Sequence, residues 1–285
     1  MKLCWKYAGC LLLILLLPSC KGNNSKVSQE DNVSMQDTMT QVVDIPDVET
    51  EDVVVTPARV DDLFDDFIWN FTSNEKLQRR RIGFPLPIVT AEGTQLIDKD
   101  DWEYDLLISE EPTYTLVFDN EDELDKEGDT SLESAEVEWV YLDTKMRQRY
   151  FFNRNHGAWE LDSISLMPLP SGDKDEGFVD FYRSFATDSI YQLEHITNPI
   201  GFVTLDPDDE FSILETTMGI SQWFAFRPEL PKDRLTNINY GQANDDLSRQ
   251  KILKVNGFED GSSIILYFRK RGNEWEMYKF EDTSI

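Results

Sequence analysis

Hydrophobic residues recur at helical spacing early in the chain, and the same pattern returns in its second half. In the first copy, apolar side chains fall at i, i+3, i+4, i+7, i+8 and i+11, on one face of a helix whose other face is mostly aspartate. These residues are Val60, Leu63, Phe64, Phe67, Ile68 and Phe71. In the second copy, Phe178, Phe181 and Phe185 each lie 114 residues after their counterparts. The spacing predicts two amphipathic helices.

Each amphipathic helix is followed by a segment that predicts a second, shorter helix. These helices are expected over residues 74–82 and 189–196. Ser73 and Thr187 are the candidate N-terminal caps. The helix-breaking prolines Pro85 and Pro199 follow at the same offset of 114 residues. Because both the apolar pattern and the breaker positions repeat, we interpret the chain as a tandem duplication.

Strand patterns follow the helices in each half. The first half contains segments that alternate or run apolar, separated by turn residues. They are Trp102–Ile108, Tyr114–Phe118, Ala135–Leu142, Met146–Asn153 and Ala158–Met167. The last two are joined by Arg154-Asn155-His156-Gly157, which predicts a tight hairpin. A similar hairpin is predicted around Gly272, and Trp275 lies 116 residues after Trp159.

This order of patterns divides the chain into four parts. Residues 1–20 read as a signal peptide, and residues 21–57 as a disordered acidic tether, because they hold no aromatic residue and little apolar surface. Residues 58–170 and 171–285 are the two predicted units, each with N-terminal helices followed by an antiparallel sheet. Helices followed by strands indicate an α+β fold class.

The leader predicts where the protein is anchored. Its apolar run ends at Leu17-Pro18-Ser19-Cys20, which resembles the lipobox of bacterial lipoproteins. That resemblance implies cleavage before Cys20 and lipidation of this cysteine, the alternative being an ordinary signal peptide with an incidental cysteine. All three cysteines lie in the leader, which argues against disulfides or a cysteine nucleophile in the folded part. We expect a lipid-anchored protein of the cell envelope, at the outer membrane and facing the periplasm, with surface exposure left open.

The charge of the chain narrows the classes of partner. The leader holds two lysines and no acids, so the chain after Cys20 carries 25 Lys and Arg against 55 Asp and Glu, a formal charge of −30. Nucleic acid is an unsuitable partner, because its phosphates would be repelled. Cationic peptides, divalent ions and a basic protein surface remain as candidates, together with the membrane through the lipid anchor.

The order of elements resembles the cone-shaped fold of the nuclear-transport-factor-two and ketosteroid-isomerase superfamily. The whole arrangement of leader, tether and two tandem cone-like units is similar to a family of lipoproteins of unknown function from gut Bacteroidetes. The resemblance implies that a curved sheet wraps the N-terminal helices of each unit. Enzymes of the superfamily use a carboxylate beside a tyrosine or a second acid in an apolar pocket.

Several residues are of the right type to line such a pocket. The candidates are Trp69, Trp102, Tyr104 and Asp105 in the first unit, and Tyr182, Trp223 and Tyr240 in the second. None belongs to a recognisable catalytic motif. The alternative is that these aromatic side chains fill the two cones, since aromatic residues dominate protein cores by area.

Other polar features favour structural roles. His156 falls in the predicted turn, and His195 lies at the end of a short helix. The acidic runs 119–129 and 206–210 lack the EF-hand spacing, so they read as solvated loops, with a weak calcium site as the alternative. The basic cluster Arg79-Arg80-Arg81 is expected to pair with the protein's own carboxylates. No metal site, cofactor or catalytic residue is predicted.

These observations favour a lipid-anchored binding or protein-interaction module with an unknown ligand. The alternative is a small-molecule enzyme of isomerase or dehydratase type that uses an acid–aromatic pocket in one cone. A third hypothesis is a scaffold whose units pack together and present an apolar patch to a partner.

Overall fold

The computed structural model describes residues 58–124, 126–173, 175–241, 248–257 and 262–284, without the side chains of Glu210 and Phe211. The predicted leader, the lipidation residue Cys20 and the tether lie outside these ranges. Within them, no helix is both long and apolar enough to cross a membrane. We refer to residues 58–170 as the first half and to residues 171–285 as the second half.

Both predicted amphipathic helices are present. The α-helices in the described ranges are α1 (Phe64–Ser73), α2 (Glu75–Arg80), α3 (Glu176–Thr187), α4 (Ser189–Glu194) and α5 (Ile220–Phe226). The first helix begins at Phe64 and not at Val60, because the segment Arg59–Asp61 forms a separate 3₁₀ turn. The Asp61 carboxylate holds that turn by accepting a hydrogen bond from the Ala58 amide at 2.7 Å.

The predicted caps of the short helices are wrong by one residue in each half. Asn74 caps α2 by accepting from the Leu77 amide at 3.0 Å, and Asp188 caps α4 by accepting from the Ile190 amide at 2.8 Å. Ser73 and Thr187 instead donate their hydroxyls to carbonyl groups of the preceding helical turn, at 2.7 Å and 2.8 Å. A hydroxyl that is used inside a helix is no longer free to cap the next one.

The strands of the described ranges follow the helices in each half. They are β1 (Leu86–Thr90), β2 (Gly93–Ile97), β3 (Thr113–Phe118), β4 (Ser134–Tyr141), β5 (Met146–Asn155), β6 (Ala158–Pro168), β7 (Ile196–Asp206), β8 (Asp209–Met218), β9 (Arg234–Asn239), β10 (Gln250–Gly257), β11 (Ser263–Arg271) and β12 (Glu274–Asp282). The hairpin between β5 and β6 is confirmed. Its two turn residues, His156 and Gly157, have φ angles of 52° and 85°, as a type I′ turn requires.

One predicted strand is wrong, and six of the observed strands were not predicted. Residues 102–106 form no strand, and a 3₁₀ turn begins at Leu107, whose φ is 42°. The side-chain amide of Gln78 accepts from the Asp105 amide at 3.0 Å and donates to the Asp105 carbonyl at 2.7 Å. A side chain from α2 thus takes the backbone groups that a neighbouring strand would have paired. The unpredicted strands are β1, β2, β7, β8, β9 and β10. Of these, β1, β2, β7 and β10 contain prolyl or glycyl positions, which weaken the pattern of a strand.

The strands form two six-stranded sheets. The orders are β2-β1-β6-β5-β4-β9 in the first sheet and β3-β10-β11-β12-β7-β8 in the second. Both sheets are mixed, which differs from the antiparallel prediction: β1 runs parallel to β6, and β7 runs parallel to β12. The element order of the first half recurs in the second, with α3, α4, β7 and β8 standing where α1, α2, β1 and β2 stand.

The two halves exchange one strand each. β3 belongs to the first half but pairs with β10, and β9 belongs to the second half but pairs with β4. Where the exchanged strands cross, Thr115 and Thr236 bond to each other reciprocally. The amide of Thr115 donates to the Thr236 hydroxyl at 2.6 Å, and the amide of Thr236 donates to the Thr115 hydroxyl at 2.8 Å. The predicted boundary at residue 170 is therefore crossed by one strand in each direction.

Aromatic side chains fill the space between each amphipathic helix and its sheet. In the first half, Phe64 packs edge-on against Trp159, with ring centroids 4.9 Å apart. In the second half, Phe178 packs against Trp275 in the same way, at 5.3 Å. The back of each sheet also contributes to the core of the other half, as Phe118 does to the first and Leu235 to the second. The cores are joined through the exchanged strands.

Candidate functional site

A cavity of the described structure lies between the first half and the second half. It has a volume of about 690 Å³ and is bounded by α3, by the segment before α3 and by strands β3, β4, β5, β9 and β10. Because these elements come from both halves, the strand exchange builds the cavity. We call it the charged cleft, since its walls carry six carboxylates and three cationic side chains. They are Asp119, Glu123, Glu136, Glu138, Asp173 and Asp175, and Arg147, Arg149 and Lys251.

Arg147 organises one wall of the charged cleft. Its guanidinium lies 3.1 Å from a Glu138 oxygen, 3.2 Å from Asp173 and 3.2 Å from Asp175. Arg147 projects from β5 and Glu138 from β4, so their side chains meet on the face of the first sheet that is turned toward the second half. Burial raises the pKa of Glu138, although Arg147 and Arg149 both oppose that shift. This wall of the cleft therefore places the buried Glu138 carboxyl group beside the guanidinium groups of Arg147 and Arg149.

Lys251 organises the opposite wall. Its ammonium group donates to Asp119 and to Asp175, each at 2.5 Å. Burial lowers the pKa of Lys251, but the two carboxylates raise it further, so the net shift is upward and the group stays charged. Asp175 contacts both Lys251 and Arg147 and thereby links the walls.

Glu123 differs from the other carboxylates of the charged cleft. It ends a 3₁₀ turn after β3, and only 6% of its surface is exposed. Its Oε2 atom has no hydrogen-bond partner among the residues that the structure describes. Buried polar atoms are nearly always paired, so this unpaired oxygen is unusual among the carboxylates of the cleft.

A second, smaller cavity of about 170 Å³ lies between α1 and strands β3, β9 and β10. We call it the Asp65 pocket, because Asp65, Trp69 and Tyr114 line it. The Tyr240 hydroxyl donates to Asp65 Oδ1 at 2.6 Å. Burial raises the pKa of Asp65 to about 6, partly offset by the Tyr240 hydrogen bond. The pocket thus holds a carboxyl group that changes protonation near neutral pH.

Three of the predicted pocket residues in the first half lie in the loop 102–105, which contacts α1 and α2, and none of the three lines either cavity. Trp102 is buried and donates from its indole nitrogen to Gln78 Oε1 at 3.0 Å. Tyr104 donates its hydroxyl to the Thr72 carbonyl. Asp105 accepts from the Tyr150 hydroxyl at 2.8 Å, and burial raises the pKa of Asp105. These contacts tie the loop to the helices.

The predicted pocket residues of the second half are mostly core. Tyr182 is fully buried, and its hydroxyl has no partner among the described residues; burial raises the pKa of this phenol. Trp223 is buried against Phe280, with ring centroids 5.3 Å apart. Tyr240 reaches the Asp65 pocket through its hydroxyl, and Trp69, in the first half, lines that pocket. The structure therefore places two of the seven predicted residues, Trp69 and Tyr240, at one of the two cavities.

The remaining polar candidates have identifiable contacts. His195 is the C-cap residue that follows α4, and its ring stacks on Tyr191 with centroids 3.8 Å apart. Arg81 pairs with Asp61, as expected from the prediction that the basic cluster pairs with the protein's own carboxylates. Arg79 instead donates mainly to the backbone carbonyls of Lys99 and Trp102. Within the described ranges, no three Asp, Glu or His side chains are placed to share one metal ion.

The acidic run 119–129 is not simply a solvated loop. Asp119 and Glu123 are buried, and Glu127 pairs with Lys254 at 2.8 Å. The second acidic run forms the turn between β7 and β8, where Asp206 accepts from the Asp208 amide at 2.9 Å. The first run therefore contributes to the charged cleft, and the second contributes a turn.

Asp65, Glu123 and the charged residues of β4 and β5 were missed by the sequence analysis. Asp65 falls on the acidic face of the predicted helix, where aspartate normally faces water. The alternation of Glu136 and Glu138 with Val137 and Trp139 places the acids on one face of β4, and this signal was available. The residues that cover this face of β4 come from the other half of the chain, so the pattern of β4 alone could not identify them.

The fold is an α+β fold of the nuclear-transport-factor-two-like class. A crystal structure of an NTF2-like protein from Bacteroides fragilis NCTC 9343 is similar to this chain with 51% sequence identity and a TM-score of 0.77, and the match covers 81% of this chain and 100% of that one. The chain belongs to the family described as a domain of unknown function (DUF4348), whose model matches residues 46–282. No curated protein matches the sequence.

Proposed function

We propose that the protein is a lipid-anchored binding module of the cell envelope and that the charged cleft is its ligand site. The observation that carries this proposal is the cavity of about 690 Å³, whose charged walls come from both halves of the chain. Most of these ionised groups are paired with one another and still enclose an open cavity. A cavity lined by convergent polar groups favours a recognition role over a packing role. Tandem duplication accounts for the repeated element order.

A cleft-blocking variant tests the ligand site. Glu136 lines the cleft and is only loosely paired with Arg149, at 3.8 Å, so Glu136→Trp should fill the cavity without breaking a close ion pair. Glu92→Trp is the matched control, because Glu92 is exposed in the turn between β1 and β2. Native mass spectrometry of each protein in a small-molecule extract of the envelope should show adducts that Glu136→Trp loses and Glu92→Trp keeps. Identical adduct patterns in the two variants would contradict the proposal.

The anchor is tested separately. Mass spectrometry of the mature N-terminus should find an acylated Cys20, and the protein should sediment with outer membranes. Cys20→Ala should abolish both the acyl mass and the membrane association. A Cys20→Ala protein that still sediments with the outer membrane would exclude this anchor.

A second candidate function is a small-molecule enzyme of isomerase or dehydratase type. The observation in its favour is the Asp65 pocket, where a carboxyl group of pKa about 6 contacts a tyrosine hydroxyl. A base with this pKa can accept and return a carbon-bound proton near neutral pH. The test is hydrogen–deuterium exchange α to the carbonyl of simple cyclic ketones, followed by NMR. Exchange no faster than in buffer, or equally fast with Asp65→Asn, would reject the enzyme hypothesis.

A further inference from the structure

We propose that the charged cleft recognises an organic cation, a ligand with a primary ammonium or guanidinium group, and that the Glu123 carboxylate is the acceptor for that group. This inference rests on the proposed function of the cleft as a ligand site and names its ligand class.

The charge balance of the cleft favours a cation. Its described walls carry six carboxylates against three cationic side chains. All three cations already contact carboxylates: Arg147 and Lys251 do so closely, and Arg149 lies 3.6 Å from Glu138. Although the Nε atoms of Arg147 and Arg149 have no hydrogen-bond partner in the described structure, an anionic ligand would be repelled by the excess of carboxylates around them. A cationic ligand would instead offset part of that negative charge.

Glu123 supplies the specific acceptor. It is the one cleft carboxylate in the described structure whose buried oxygen, Oε2, lacks a hydrogen-bond partner. A buried acceptor without a partner is costly, and an N–H group of a ligand would remove that cost on binding. Because a charged hydrogen bond is stronger than a neutral one, an ammonium or guanidinium group fits this position better than a hydroxyl or an amide.

The geometry favours an organic cation over a metal ion. Ca²⁺ requires six to eight oxygen ligands around one point. In the described residues, no three carboxylates are placed to share an ion, because Asp119, Asp173 and Asp175 already contact Lys251 or Arg147. A cavity of about 690 Å³ also has room for several non-hydrogen atoms besides the charged group.

Isothermal titration calorimetry on the full chain tests this assignment with defined probes. We expect 1,5-diaminopentane to bind, and we expect the dianion glutarate, which has the same carbon chain length, not to bind. Glu123→Gln keeps the shape of the side chain and removes its charge, so it should weaken diamine binding by about tenfold or more. Glu121→Gln is the matched control, because Glu121 is exposed in the same turn and does not line the cleft; its affinity should equal that of the wild type.

The outcomes separate this inference from the proposal on which it rests. Absence of diamine binding, or equal binding by the wild type and Glu123→Gln, would overturn the cation assignment. If glutarate binds instead and Glu136→Trp blocks it, the cleft is a ligand site but not one for cations. If Glu136→Trp changes the binding of no probe and no adduct, the proposed function fails together with the assignment.

Discussion

Replacing Thr236 by valine measures how strongly the exchanged strands hold the two halves together. The Thr236 hydroxyl accepts from the Thr115 amide at 2.6 Å and donates to the Thr115 carbonyl at 3.0 Å. Both residues are buried, with 7% and 2% of their surfaces exposed. Valine has nearly the same shape as threonine but no hydroxyl, so the change removes these hydrogen bonds and little else.

The expected loss of stability follows from the groups that are left unpaired. The Thr115 amide becomes a buried donor without an acceptor, which costs about 1–3 kcal/mol, and the bond to the carbonyl is worth roughly 1 kcal/mol. We therefore expect the free energy of unfolding to fall by about 2–4 kcal/mol. For a domain of this size, that corresponds to a decrease in Tm of roughly 4–16 °C.

Urea denaturation followed by tryptophan fluorescence measures this change. Thr236→Ser is the control, because it keeps the hydroxyl and loses only a methyl group, at a cost of about 1 kcal/mol. If Thr236→Val remains within about 0.5 kcal/mol of the wild type while Thr236→Ser loses more, packing and not hydrogen bonding stabilises the crossing. That result would refute the reasoning.

Three further predictions concern the halves and the buried acids. Residues 58–170 and 171–285 expressed separately should fail to give dispersed NMR spectra, because each lacks one strand of its sheet, and a folded isolated half would contradict this. Asp61→Asn should lower the free energy of unfolding by about 3–5 kcal/mol, because it leaves the buried Arg81 guanidinium without the carboxylate that now lies 2.8 Å away. A loss below about 1 kcal/mol in urea denaturation would show that this ion pair does not stabilise the fold. Burial raises the pKa of Asp65 to about 6, so ionisation opposes folding, and stability should fall as the pH rises from about 4 to 6. Asp65→Asn should remove this pH dependence: its free energy of unfolding should equal that of the wild type near pH 4 and exceed it by up to about 3 kcal/mol at pH 7. If the substitution leaves the dependence of stability on pH unchanged, Asp65 does not titrate in this range.

Local signals made the helices and the terminal hairpins predictable. The apolar period of α1 and α3 survives in the structure, because burying one face of a helix dominates its placement. The hairpin at His156-Gly157 was predictable, because few residue pairs tolerate two positive φ angles. The segment 102–106 misled the analysis, because its backbone is paired by the Gln78 side chain, a contact that sequence alternation cannot reveal.

The candidate site was much less predictable than the fold. Trp69 and Tyr240 lie at the Asp65 pocket, but Trp102, Trp223 and Tyr182 are packed in the interior. Aromatic residues suit cores and ligand pockets equally well, so residue type alone could not separate the two. Glu123 looked like one acid among seven in the run 119–129. Its burial becomes visible only once the second half of the chain lies beside it.

The sequence by itself determined the amphipathic helices, the hairpins, the repeated order of elements and the large negative charge, because each depends on residues close together in the chain or on composition alone. Only the tertiary structure decided that β3 and β9 change places between the halves. Residues more than a hundred positions apart, such as Thr115 and Thr236, meet through that exchange. The charged cleft exists for the same reason: its walls are brought together by long-range pairing, which no local pattern encodes.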